Sequence, residues 1–227
     1  MSRRAFLVLC MTGLLILAGC SDARVSPTSA PSGLGLSMAE LGQPPNAETN
    51  GRAWGPADAP LKVIKFVDYQ CPTCGRLARD YDPAIVAAFA ATGKVRMEVR
   101  ILSFIGRESY DAALAALCAA DQNAFWRMHH SIFLNQPFDG RENTGLFTKP
   151  RLKELAGQMG LDAATFGACL DAEKHRDVLE QDRLAAQQAG VAAVPTFVVN
   201  GEVHTGLRSA DDLRQIFETI APEVRLP

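Results

Sequence analysis

Leu61-Lys62-Val63-Ile64-Lys65-Phe66-Val67-Asp68-Tyr69-Gln70-Cys71-Pro72-Thr73-Cys74-Gly75-Arg76-Leu77-Ala78-Arg79 is the stretch on which the reading of this 227-residue chain turns. Residues 61–67 combine β-branched and aromatic side chains and read as a strand. From Gly75 a helix-favouring run opens. A strand, then C-x-x-C, then a helix puts Cys71 at a helix N-terminus. Unpaired backbone N–H groups and the positive end of the macrodipole stabilise a thiolate there. Pro72 suits the first turn, where a missing N–H is harmless. The pattern points to thiol–disulfide exchange.

Working outward, Thr92-Gly93 stops the helical run, and Val95 to Leu102 alternates as a strand should. Strand–helix–strand of this length predicts a βαβ unit with parallel strands. From about Arg107 to Gly190 the sequence is helical in character and has no convincing strand. Tyr110 to Ala120 is Ala/Leu-rich, Phe125 to Leu134 carries large apolar residues at helical spacing, and Pro150 opens a further helix. Asp162 is placed to cap the next one, and Glu173 to Ala189 is polar and amphipathic. Val191-Ala192-Ala193-Val194-Pro195 leads into a strand, Thr196 to Val199. Asn200-Gly201 is a strong hairpin signal. Glu202 to Thr205 returns, Gly206 breaks it, and Ser209-Ala210-Asp211-Asp212 starts a final helix. No internal repeat is visible.

The N-terminus reads as a targeting segment. Arg3 and Arg4 precede an apolar run, Ala5 to Ala18, too short for a comfortable membrane span. Leu17-Ala18-Gly19-Cys20 resembles a bacterial lipobox, which implies removal of residues 1–19 and lipid on Cys20; an ordinary cleaved signal is the alternative. Ser2 to Leu7 also resembles a twin-arginine signal, although the short charged region favours general secretion. Either route leads out of the cytoplasm. Residues 20–52 are rich in Ser, Pro, Gly, Ala and Asn and are expected to form a flexible tether. Trp54 to Pro60 makes a turn-rich approach to the first strand. One domain is expected over 53–221, followed by a tail, 222–227. Removing the leader takes Lys+Arg from 23 to 21 against 25 acidic residues, near −4. No basic tract stands out, which argues against nucleic acid as a partner.

Six cysteines are present. Cys10 leaves with the leader, Cys20 is the lipid site, and Cys71 and Cys74 form the C-x-x-C pair. Cys118 and Cys169 remain. An even remainder in an exported protein favours a second disulfide, with two inert core thiols or a second redox relay as alternatives.

With Cys71-Pro72-Thr73-Cys74 after a strand, a long helical insert, and Val194-Pro195-Thr196 before a hairpin, the chain resembles DsbA-like members of the thioredoxin superfamily. Phe66 to Cys74 resembles that family's active-site stretch over nine consecutive residues, and the overall likeness covers about residues 53–221. The resemblance implies an α/β, thioredoxin-like fold with a helical insertion, about 107–190, between the βαβ unit and a cis-proline hairpin. It implies that Cys71 is the low-pKa sulfur that forms mixed disulfides and Cys74 its buried partner. It makes Pro195 the cis-proline and lets the Val194 backbone pair with an extended substrate. Val before this proline is similar to the oxidising members; isomerases more often carry Thr. Some DsbA-like proteins carry a structural bridge at cysteines similar to Cys118 and Cys169. Such a bridge would close a loop of about fifty residues, worth roughly 4 kcal/mol in the chain-entropy model.

Two positions depart from the family pattern. An acidic proton acceptor usually stands six positions before the first cysteine, where this chain has Lys65. Either Asp68 or a water takes the acceptor role, or proton transfer is slower, with Lys65 read as a strand residue facing solvent; Asp68 also reads as a turn residue. Thr73 replaces the histidine of the most oxidising members. Its hydroxyl is expected to bond the Cys71 thiolate more weakly than a cation would, making a milder oxidant.

The function these readings support is an extracytoplasmic thiol:disulfide oxidoreductase that oxidises dithiols of exported proteins. A reductase or isomerase of the same fold is the alternative within the class. The rival outside it is a lipid-anchored binding module whose C-x-x-C is a structural clip or zinc half-site, although structural zinc normally takes four ligands. No cofactor and no metal are expected. His129 and His130 with Cys118 make a poor metal site, because adjacent histidines point to different helix faces. The expected partners are exported protein thiols, an envelope redox partner and the membrane through the lipid anchor, with the chain itself a monomer.

Overall fold

A computed structural model describes residues 44, 47, 48, 51–137 and 139–226. The leader 1–19, the lipid site at Cys20 and nearly all of the 20–52 tether lie outside the described residues. Five strands form one sheet in the order β1-β3-β2-β4-β5. The central strand β2 (Leu61–Val67) pairs in parallel with β3 (Val95–Ile101), from Leu61 opposite Val95 to Val67 opposite Ile101. On its other side β2 pairs antiparallel with β4 (Thr196–Val199), which turns through Asn200-Gly201 into β5 (Glu202–Thr205). β1 (Ala53–Trp54) closes the far edge against β3. The alternation expected for residues 95–102 appears as a strict buried/half-buried alternation along β3.

The helical run after β2 is not one helix. It comprises α1 (Pro72–Arg76), a π-helical turn (Leu77–Tyr81) and α2 (Asp82–Phe89). Pro83 offers no N–H to the carbonyl one turn back, and the hydrogen-bond register widens just before it. Gly93, at φ +68°, ends the segment as expected.

The insertion is built of helices, with no strand among its described residues. It contains α3 (Arg107–Ala120), α4 (Phe125–Asn135), α5 (Lys149–Gln158), α6 (Ala163–Asp171) and α7 (Arg176–Gln188), with a loop at 136–148 between α4 and α5. α3 is buried on nearly every face from Ala112 to Ala119, and its alanines let α4, α5, α6 and α7 approach closely. Asp162 caps α6 by accepting a hydrogen bond from the Thr165 N–H. Cys118 of α3 and Cys169 of α6 are joined by a disulfide across a Cα–Cα distance of 5.9 Å. The final helix, α8 (Ala210–Ile220), is capped by Ser209 and packs on α2, Phe217 against Phe89. Among the described residues, no helix is long and apolar enough to cross a membrane.

Three readings need correction. Lys65 does not face solvent: it is 2% exposed, on the face of β2 that carries Leu61, Val63 and Val67, and its ammonium pairs with the buried Asp82 carboxylate. A buried cation persists only with such a partner. Next, the approach to β2 is part of the sheet. Trp54 is fully buried in β1, and Ala47, assigned by composition to the tether, bridges to it. Glu48 and Arg52 are likewise tied in, Glu48 to Arg96 and Arg52 to the buried Asp182 of α7. Finally, the C-terminal residues are not a bare tail, since Val224 and Leu226 pack on the core.

Gly55 marks the close approach of β1's end to β3. Its φ is +83°, and a Cβ there would lie 2.0 Å from the Val95 carbonyl oxygen, a backbone atom that cannot swing aside. Gly55→Ala is expected to destabilise the domain by at least about 2 kcal/mol, read as a lowered denaturant midpoint with an unchanged slope.

Candidate active site

β2 delivers the chain to the segment Asp68–Cys71 at its C-terminal end, and α1 carries it away. Cys71 is the N-cap of α1 in extended conformation (φ −68°, ψ 118°), with Pro72 as first helical residue. Its N–H donates to the Asp68 carbonyl and its carbonyl accepts from the Gly75 N–H, which fixes the turn. Cys71 is 9% exposed and Cys74 1% exposed, and both are free thiols.

The two sulfurs have opposite acid–base character. A hydrogen bond from the Cys74 thiol pulls the Cys71 pKa down to about 6, against an opposing effect of burial and with help from the Cys74 and Thr73 backbone N–H groups. The Thr73 side chain is exposed, and it is the backbone N–H rather than the hydroxyl that Thr73 contributes. Burial pushes Cys74 well above the usual range, and the neighbouring Cys71 thiolate pushes it further.

The Val194–Pro195 peptide is cis. It brings the Val194 carbonyl to 3.6 Å from the Cys71 sulfur. Pro195 is half-buried, so the edge of this loop beside the sulfur remains accessible. An apolar groove of about 420 Å³ runs from the same loop, lined by Leu102, Phe104, Leu179, Ala186, Val191 and Ala193. Phe104 is 62% exposed at its rim.

The insertion supplies most of the scaffolding around the cysteines. Asp68 is fully buried; its carboxylate accepts hydrogen bonds from the Gln70, Phe104 and Ile105 N–H groups and from the Ser109 hydroxyl at the start of α3. Burial raises the Asp68 pKa despite these bonds. Tyr69 shares a hydrogen bond with His129 Nδ1 of α4 at 2.9 Å, and burial holds that imidazole well below its ordinary pKa, hence neutral. Gln70 donates to Ser109 and to Asn143 Oδ1. Gln136, just past α4, donates to both the Tyr69 and Cys71 carbonyls at 3.0 and 2.9 Å. Gly75 makes room for it: a Cβ there would sit 1.7 Å from Gln136 Oε1.

Cys71, Cys74, Pro72, Thr73, Asp68, Val194 and Pro195 thus gather in one place, and Cys118 and Cys169 lie elsewhere, bonded to each other. His129 and His130 are buried among aromatic rings of α4, with His129 between Tyr69 and Phe125. Gln136 and Asn143 escaped the sequence reading, because polar residues in or beside a loop carry no periodic signal. The position six before Cys71 is held by Lys65, and the buried carboxylate found beside it is that of its ion-pair partner Asp82. An aspartate next to a proline just after the active-site helix was the only hint.

A family model described as Thioredoxin matches residues 47–219. Disulfide bond formation protein D of Bacillus subtilis is 32% identical over 174 residues, 75% of this chain and 76% of that protein. The crystal structure of oxidised BdbD from Bacillus subtilis superposes with a TM-score of 0.66 at 30% identity, over 78% of this chain and 95% of the other. DsbA of Chlamydia trachomatis shares the fold, with a TM-score of 0.66 at 20% identity, over 80% of this chain and 97% of the other. The matched residues take in the strand, the redox pair, the helical insertion and the cis-proline hairpin, and the chain belongs to the DsbA-like thiol:disulfide oxidoreductases of the thioredoxin superfamily.

Proposed function

We infer that the protein works outside the cytoplasm as an oxidase of dithiols in exported proteins, with Cys71 as the exchanging sulfur and Cys74 as its internal partner. The observation that carries this reading is the split between the two thiols, one drawn down to about 6 and the other driven up by burial. In the oxidised form a substrate thiolate attacks the Cys71 sulfur; a substrate–Cys71 bond forms, the Cys71–Cys74 bond breaks, and Cys74 leaves and takes up a proton. The substrate's second thiolate then attacks the substrate sulfur of the mixed disulfide, and Cys71 leaves as a stable thiolate. The substrate is oxidised by two electrons and the Cys71–Cys74 pair reduced by two. Val194, with its carbonyl beside Cys71, supports recognition of an extended chain. Asp68 acts by holding the loop, and its buried carboxylate opposes the Cys71 thiolate slightly.

A depressed Cys71 pKa favours the reduced state only where the thiolate is populated. Below about pH 6 the thiol is protonated and the contribution vanishes. It grows as pH rises, reaching roughly 3 kcal/mol near pH 8.5, where an ordinary cysteine ionises, and roughly half of that at neutrality. The raised Cys74 acts in the opposite sense, and only above that range. Oxidising power relative to ordinary thiols is therefore expected to rise between pH 6 and 8.5. In this reading residues 1–19 are a leader, Cys20 carries lipid, and the segment from Cys20 up to Ala47, where the chain joins the sheet, tethers the folded domain to the membrane, where an envelope redox partner reoxidises it.

Thiolate absorbance of the reduced protein is expected to titrate with a midpoint near pH 6 and to lose that transition in Cys71→Ser; a midpoint above 8 overturns the assignment. Cys74→Ala, loaded on Cys71 with glutathione and mixed with a reduced exported protein, is expected to accumulate a Cys71-linked adduct on non-reducing gels. Failure to form one, with Cys71 demonstrably loaded, sinks the oxidoreductase site. Gly75→Ala is expected to displace Gln136 and loosen the Cys71 carbonyl, slowing dithiol oxidation several-fold while far-ultraviolet circular dichroism is unchanged and stability falls by about 1–2 kcal/mol.

A further inference from the structure

Away from the exchange site, the Cys118–Cys169 disulfide has unusual company. Cys118 and Cys169 Sγ and a ring nitrogen of His175 lie within 4.8 Å of one another. Asp121, one turn beyond Cys118 at the end of α3, places Oδ2 3.7 Å from Cys169 Sγ and 2.9 Å from His175 Nε2. We propose that on reduction of this disulfide Cys118, Cys169 and His175 bind a thiophilic divalent cation such as zinc, with Asp121 as fourth ligand, so that α3 and α6 stay joined by a metal when they are no longer joined by a bond.

The donor set suits the ion. Two thiolates, an imidazole and a carboxylate are ordinary zinc ligands, and bond lengths of about 2.0 to 2.3 Å place tetrahedral ligands about 3.3 to 3.8 Å apart. The Cys169–Asp121 distance already lies in that range, and the two sulfurs reach it by rotating apart about Cα–Cβ, with their Cα atoms at 5.9 Å. His175 is delivered independently of the disulfide. It follows a turn in which Glu173, not a glycine, adopts φ +50°. That conformation is held by Arg107, Tyr110 and Lys149, all bonded to the Glu173 carboxylate. Lys174 is the competing group, since its ammonium lies 2.8 Å from Asp121 Oδ2. Its side chain is 57% exposed and free to turn into solvent when a dication takes its place.

The chemistry balances. A dithiol reductant gives two electrons and two protons to the Cys118–Cys169 bond and leaves as its own disulfide. Zinc then displaces the two thiol protons and forms two Zn–S bonds. With the bond intact both sulfurs lack the charge a metal needs.

The test uses the full chain carrying Cys71→Ser and Cys74→Ser, which removes the exchange-site thiols, in oxidised and phosphine-reduced forms. Zinc affinity is measured by competition with a chromophoric chelator, and Co²⁺ reports ligand type through thiolate charge-transfer and tetrahedral d–d bands. The expected result is one equivalent bound by the reduced form, none by the oxidised form, thiolate bands with Co²⁺, and at least about tenfold weaker binding in His175→Ala. If reduction alone loosens the fold, zinc is expected to restore the circular dichroism and melting temperature, and failure to do so overturns the proposal. Equal affinity in both redox forms, or an unaltered affinity in His175→Ala, also overturns it.

Discussion

The hydrogen bonds that the helical insertion makes to four consecutive residues, Asp68 to Cys71, are the constraint on which the rest depends. A strand that ends in an irregular turn leaves backbone carbonyls and N–H groups unpaired, and burying them without partners would cost about 1–3 kcal/mol each. Here Gln136 takes two carbonyls, Ser109 and the start of α3 meet Asp68, His129 meets the Tyr69 hydroxyl, and Asn143 meets Gln70. The insertion is therefore the other half of the exchange site. A thioredoxin-like βαβ unit alone could position a cysteine at a helix N-terminus, but it would leave this turn wet and mobile.

That dependence explains the insertion's own construction. α3 sits at its centre and is lined with alanine, so four neighbouring helices can pack against it at close range. The staple between Cys118 and Cys169 closes a loop of 51 residues, which limits the unfolded ensemble and is worth about 4 kcal/mol in the chain-entropy view. The same bond keeps α6 against the C-terminal end of α3, opposite the end that carries Ser109. Rigidity in a part remote from the sulfurs thus reaches them through one helix.

What was legible in the sequence was local. The strand ahead of Cys71, the hairpin at Asn200-Gly201, the caps at Asp162 and Ser209 and the helical character of 107–190 each rest on signals within a few residues. The partnering of charges was not legible. Lys65 on β2 reads as an ordinary polar strand residue until Asp82, 17 positions later, is folded over it. Gln136 has nothing in its neighbourhood that marks it as the clasp of the active-site turn. Trp54 sat among turn residues, yet a two-residue strand was enough to bury it. The π turn ahead of Pro83 was not read, because the run from Gly75 looks helix-favouring throughout and only the backbone geometry shows its hydrogen-bond register widening.

The difference in exposure between Cys71 and Cys74 also governs traffic. Cys71 is the more accessible of the two cysteines, and it lies beside the cis-proline loop, so electron pairs are exchanged there. Under the proposed function, a dithiol to be oxidised and a partner that restores the disulfide would need the same landing place and could not occupy it together. Turnover under that proposal would be an alternation of visitors, of ping-pong type, in which each must depart before the other arrives. A partner that binds too tightly inhibits as surely as one that fails to bind.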